Sequence, residues 1–242
     1  MEVQRTYSHK GGECALQTHH AQELNEVYAA VESCDAVWCL RKITKESTKH
    51  PLLFSPPAMN LMLKRNLHPL GWTEPARTSR KGFREPRITF GRGRFREMDG
   101  IKNKVGLEIQ FGKYAFMGYD VFSKMPIFAK RGLIECGIEL VAMHSVVKEM
   151  SSGVSFFDQI VLDMENRGEA DLDIPTVVIG IGLTQAEVLA CERKRERFLT
   201  HRDEMLAAGE VSLGNKGASP GPKGRKFEYE EGDEENTESE QS

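Results

Sequence analysis

Between residues 105 and 111, Val105, Leu107, Ile109 and Phe111 alternate with Gly106, Glu108 and Gln110. Period two is the pattern of a strand with one buried face. Leu133 to Met143 is also strand-like, with Ile134, Ile138, Leu140 and Val141 near its centre. Thr176 to Ile181 is an almost unbroken β-branched run, as expected of a strand covered on both faces. Helical spacing governs other segments. Leu24, Val27, Tyr28 and Val31 predict a helix over 20–33. Ser55-Pro56-Pro57 predicts an N-cap followed by proline in the first turn, with Met59, Leu61, Met62 and Leu63 on the apolar side and Pro69 to Gly71 as the stop. Tyr119 to Ala129 reads as helical, with an interruption near Pro126. A short helix over 144–153 ending in a polar loop, an amphipathic helix over 156–165 and a charged helix over 185–208 complete the pattern. In the last, Val188, Leu189, Phe198, Met205 and Leu206 are sparse apolar contacts. Strands alternating with helices predict an α/β fold.

The stretch from Arg77 to Met98 is poor in aliphatics and reads as an exposed loop or extended hairpin. Arg77, Arg80, Lys81, Arg84, Arg87, Arg92, Arg94 and Arg96 stand there against the single acid Glu85 up to residue 96. The overall charge of −3 hides this. Residues 227 to 242 carry eight acids and no base, and setting them aside leaves 33 basic against 28 acidic residues, a body of +5. Such a body suits a polyanionic partner. Beyond Gly209 the chain turns to Gly, Pro, Ser and Glu, too few apolar groups to offset ordering entropy, and disorder is expected.

At 242 residues, one domain with a tail is the natural reading: 1–183 as the main domain, 184–209 as a helical extension and 210–242 as an acidic tail. No apolar run approaches the ~18–20 residues of a membrane span, and the opening residues lack the apolar core of a signal peptide. Cys14, Cys34, Cys39, Cys136 and Cys191 are odd in number and scattered, so a reduced, cytoplasmic protein is expected.

Chemistry enters with Asp99, in the turn-like run Met98-Asp99-Gly100, nine residues before Glu108. A hairpin or bent strand would bring the two carboxylates together as hard oxygen ligands suited to Mg²⁺. Asp and Glu make up 36 of 242 residues, so this spacing alone does not separate a metal site from a solvated strand face.

The surroundings separate them. Glu108-Ile109-Gln110-Phe111-Gly112-Lys113-Tyr114 resembles the BglII and BstYI type II restriction endonucleases, BstYI more closely. Further matches follow in the same order: Tyr7-Ser8-His9, Lys45 to Lys49, Ser55-Pro56 with Asn60, Gly71-Trp72, Tyr119-Asp120, Lys148 to Gly153, and Val178 to Ile181. The resemblance spans roughly residues 3 to 182.

It implies the PD-(D/E)xK restriction-endonuclease-like fold, a central mixed β-sheet flanked by helices. It also implies a homodimer that cuts double-stranded DNA at a palindrome with a central GATC, leaving 5′ overhangs. By the same resemblance Asp99, Glu108 and the Ile109 carbonyl hold Mg²⁺, and Glu74 is a further active-site acid. Gln110 stands where most of the superfamily carries lysine, as in the BglII and BstYI subgroup, and would orient a water. Lys113, Ser151 and Ser152 are the implied base-reading residues, with Arg41, Lys42 and Lys45 as further DNA contacts. Two alternatives stay open: a repair or structure-specific nuclease on the same fold, and a non-catalytic DNA-binding protein.

Overall fold

The structure is a computed structural model that describes residues 1–43, 52–76, 79–150 and 153–207. The chain runs through β1 (Glu2–His9), α1 (Gly12–His19), α2 (Ala21–Glu32), α3 (Ala36–Cys39), β2 (Leu40–Ile43), β3 (Leu52–Phe54) and α4 (Pro56–Leu67). Short strands follow: β4 (Glu74–Pro75), β5 (Phe83–Arg84), β6 (Arg87–Thr89), β7 (Phe95–Glu97) and β8 (Gly100–Lys102). Then come β9 (Val105–Gln110), α5 (Tyr114–Tyr119), a π-turn (Asp120–Lys124), α6 (Met125–Lys130), β10 (Cys136–Ala142), α7 (His144–Val147), α8 (Phe157–Arg167), β11 (Thr176–Gly182) and α9 (Gln185–Ala207).

Five strands form the central sheet in the order β1-β11-β10-β9-β8. β9, β10 and β11 are mutually parallel, while β1 and β8 close the two edges antiparallel. The sheet is mixed and lies between two helical layers. On one face Leu107, Ile109, Ile138, Leu140, Val177 and Ile179 pack against α1, α2, α4 and α9. On the other, Val141 and Val178 meet Met117 and Val121 beside α5 and Phe157, Ile160 and Met164 of α8. Each such side chain removed from water contributes about 1.5–3 kcal/mol, so the two layers hold the sheet firmly.

β9 is therefore covered on both sides, not one. Every residue from Val105 to Ile109 is buried, which corrects the half-buried strand expected from alternation. Gly106 leaves no open access either. A Cβ there would lie 2.7 Å from Met98 Sδ and 2.9 Å from Ile134, so the glycine admits the packing of those two side chains.

Local signals explain most boundaries. Ser55 Oγ accepts from the Ala58 amide at 3.4 Å and starts α4. Asn103 and Lys104 both have positive φ, the backbone of a tight two-residue hairpin, and they join β8 to β9. Pro126 does interrupt its helix, but without ending it. The π-turn precedes it, and Pro126 sits in the first turn of α6, where a missing N–H costs little.

The stretch from Glu74 to Glu97 forms two small hairpins, β4 with β5 and β6 with β7. α9 shares the main core through Cys191 and Phe198, and Lys194 Nζ donates to the Val37 carbonyl at 3.0 Å. All five cysteines are free thiols, and among the described residues no helix is long and apolar enough to cross a membrane.

Candidate active site

The β8–β9 hairpin places Asp99 and Glu108 across from one another. Gly100 pairs with Leu107, and one step outward Asp99 faces Glu108. Asp99 Oδ2 accepts from the Ile109 amide at 2.8 Å, which fixes the carboxylate against β9. Its other oxygen, Oδ1, lies 2.7 Å from Lys64 Nζ of α4. Lys64 also holds Glu85 at 2.8 Å. Burial alone would lower the pKa of Lys64, but Asp99 and Glu85 outweigh it and hold the ammonium above its ordinary value.

Glu108 is buried beneath the π-turn. Lys124 Nζ lies 2.8 Å from Glu108 Oε1 as an ion pair, yet without hydrogen-bonding alignment, so that buried oxygen has no directed donor. Burial, reinforced by the charge of Asp99, pushes the Glu108 carboxyl well above the usual range, and Lys124 only partly offsets this. Lys124 also binds Asp120 Oδ1 at 2.6 Å, and Gln110 Nε2 donates to Asp120 Oδ2 at 3.0 Å. Gln110 Oε1 accepts from the Gly112 amide at 2.8 Å. A Cβ at Gly112 would come within 2.7 Å of that oxygen, so a larger residue there would displace the Gln110 amide.

A fourth acid completes the group. Glu139 of β10 pairs in register with Glu108, is 0% exposed, and has no hydrogen-bond partner on either oxygen. Burial, with Asp120 and Glu108 nearby, drives its pKa far upward. Asp120 is raised as well, by burial first. Four carboxyls thus face two ammoniums, Lys64 and Lys124.

The cluster has the character of a cation site with too little positive charge. Among the described residues no three His, Cys, Asp or Glu side chains converge on one point. A metal here would rest on two carboxylates, Asp99 and Glu108, with a backbone carbonyl and water filling the remainder. Mg²⁺ accepts that arrangement because it keeps several waters. The donor set and the undirected Glu108 oxygen fit it.

The other expected residues are placed as follows. Glu74, on β4, has its side chain 48% exposed and accepts from Arg84 Nε at 2.6 Å. Lys113 is exposed and caps the start of α5, and its backbone bridges to Val154. Ser155 N donates to the Gly112 carbonyl at 3.0 Å, so Gly112-Lys113 and Val154-Ser155 run side by side. Ser151, Ser152 and Lys45 lie outside the described residues, as does the Lys42 side chain. Arg41 is exposed but committed: its guanidinium stacks 3.8 Å over Trp38 and donates to the Trp38 carbonyl. Lys64, Asp120, Lys124 and Glu139 were missed as site residues. A glutamate inside an apolar strand was the one available signal, at Glu139.

The family model for restriction endonuclease BglII/BglIII matches residues 4–181. Among solved structures, BglII complexed with a DNA 16-mer is similar with a TM-score of 0.56 at 16% identity, over 74% of this chain and 76% of that one. Free BglII is similar with a TM-score of 0.51, also at 16% identity, over 76% and 81% of the respective chains. No curated protein sequence matches the chain.

Proposed function

The chain belongs to the BglII/BglIII restriction endonuclease family, and from that membership we propose that it cleaves both strands of a palindromic DNA site as a Mg²⁺-dependent homodimer. The observation that carries the reading is the facing pair Asp99 and Glu108, two carboxylates locked across a hairpin with an undirected buried oxygen between them and Lys124. Two-fold symmetry in the protein matches two-fold symmetry in the DNA, each subunit cutting one strand.

Asp99, Glu108 and the Ile109 carbonyl would hold the metal. Bound there, Mg²⁺ supplies Lewis acidity to the phosphate and an acidified water. The chain's own groups do the rest. Asp99 is fixed by the Ile109 amide on Oδ2, while Lys64 occupies Oδ1 and would yield that oxygen to an arriving cation. Glu108 must be ionised to bind a cation; burial opposes that ionisation, and both Lys124 and a bound cation favour it. Gln110 uses one N–H on Asp120 and one lone pair on Gly112, which leaves one of each to orient the attacking water. Glu74, held by Arg84, is the further active-site acid of this scheme.

For DNA, Lys113 reads base edges together with Ser151 and Ser152, while Arg41, Lys42 and Lys45 contact the backbone. The exposed Arg92 and Arg94, at the β6–β7 turn a few residues before Asp99, add phosphate contacts. A central GATC and 5′ overhangs are the proposed target and product. In this reading α9 belongs to the folded body, the chain beyond 209 is a dispensable acidic tail, and free thiols suit the cytoplasm.

Digesting plasmid DNA with Mg²⁺ and sequencing the ends tests the reading. Discrete fragments sharing one palindrome with protruding 5′ ends are expected. A smear, or cutting confined to junctions, would make it a repair nuclease. Binding without any nicking would make it a non-catalytic DNA-binding protein.

A further inference from the structure

Lys124 is a largely enclosed lysine, its side chain 14% exposed, placed between two carboxylates of the site. Buried lysine is rare because the ammonium loses its hydration, and it persists only when paired. Here the pairing draws on the site itself: Glu108 Oε1 at 2.8 Å and Asp120 Oδ1 at 2.6 Å. The second oxygen of that same Asp120 receives Gln110 Nε2 at 3.0 Å. The ammonium and the neutral amide are thus held side by side by one carboxylate. Asp120 and Lys124 bound the π-turn, a rare deviation that is frequent at functional sites and that sets these two residues facing β9. Lys64 differs, being tied outward to Glu85 as well as to Asp99.

We propose that Lys124 supplies the active site with the cationic side chain that position 110 lacks, with Asp120 as its positioning residue. The proposal rests on reading Asp99 and Glu108 as the nuclease centre. Before DNA arrives, Lys124 is the internal counter-ion of Glu108. With DNA bound, its ammonium faces a non-bridging oxygen of the scissile phosphate and stabilises the charge that grows there as phosphorus becomes five-coordinate. Lys124 stays protonated throughout and neither gives nor takes a proton.

The test uses the full chain with Lys124→Gln, Lys124→Arg and the double variant Lys124→Gln/Gln110→Lys. Single-turnover cleavage is measured with Mg²⁺, duplex affinity with Ca²⁺, and folding by thermal melting. Loss of one preorganised charge should lower the Lys124→Gln cleavage rate by about 10²-fold or more, with duplex affinity nearly unchanged. Lys124→Arg should keep part of the rate. Returning the ammonium at position 110 should recover at least about tenfold over Lys124→Gln. Lys124→Gln cutting within about threefold of the parent would overturn the proposal, as would a folded, DNA-binding double variant that cuts no better than the single one. Should only the double variant fold, its cleavage alone decides. Should neither neutral-124 variant fold, Lys124 is a structural counter-ion and the proposal falls. A parent protein that cuts no DNA at all overturns the nuclease reading itself, and this inference with it.

Discussion

Two of the places where the described structure buries acidic side chains treat them in opposite ways. Asp173, in the loop before β11, receives Arg167 through both guanidinium nitrogens at 2.6 and 2.9 Å, His9 Nε2 at 3.0 Å and the Ala170 amide at 2.9 Å. Burial pushes its pKa up, but these donors outweigh burial and hold the carboxylate well below its usual range. Around Asp99 and Glu108 the balance is reversed. One buried oxygen of Glu108 and both of Glu139 have no directed donor, and burial drives both carboxyls far upward. A satisfied carboxylate pins the end of β1 to the α8–β11 loop. A group of four in which one oxygen of Glu108 and both of Glu139 go without donors costs stability and keeps an affinity for cations in reserve. Burial of charge alone does not mark a site; the state of its partners does.

The largest test of that contrast removes the acids. Glu108→Ala or Asp99→Ala should lower cleavage by about 10³-fold or more, because the Lewis-acid contribution is worth several kcal/mol. DNA affinity should hold or tighten as repulsion between carboxylate and phosphate disappears. A near-parental cleavage rate in either variant would remove it from the site.

Asp173→Ala should act on the fold instead. It leaves the donors of buried His9 and partly exposed Arg167 without an acceptor, at a cost of about 2 kcal/mol. For a chain of this size the melting temperature should fall by about 4–8 °C. Cleavage by the folded fraction should not change, and a selective loss of rate would erase the distinction between the two clusters.

Glu139→Gln probes the unsatisfied side through pH. The folded pKa of Glu139 lies above its unfolded value, so the folded state binds the extra proton. Stability from this group is present below the unfolded pKa and is lost as pH rises through the folded one. The metal-free Glu139→Gln protein should therefore melt above the parent at pH 8, with the gap closing towards pH ~4.5. A gap independent of pH would mean that Glu139 is satisfied after all.

The smallest effect is expected from the tail. Ending the chain after Gly209 should leave melting temperature and cleavage unchanged, whereas ending it before Gln185 removes Cys191 and Phe198 from the core and should lower stability. The repulsion between eight acids and DNA would vanish, slightly tightening non-specific binding at low salt. Equal behaviour of the two truncations would move the boundary between body and tail.

Local patterns determined much of this protein. The three parallel strands, α2, α4, α8 and α9 follow from hydrophobic period and capping, because those signals act over a few neighbouring residues. The Asp99–Glu108 pair was legible for the same reason: a two-residue turn between short strands decides which residues face each other. The density of Arg between 77 and 96 likewise reported an exposed hairpin region, and the family resemblance in the residues covers most of what the family model matches.

Only the tertiary structure decided what surrounds that pair. Alternation predicts a half-exposed β9 because it cannot tell water from a polar interior, whereas the polar face is roofed by the π-turn. Lys64 comes from a helix 35 residues before Asp99, and Glu139 from a neighbouring strand 31 residues after Glu108. No period or spacing encodes such contacts. They arise when strand order and helix packing bring distant residues together, and burial then changes their chemistry by withdrawing water from charges that an isolated segment would leave solvated.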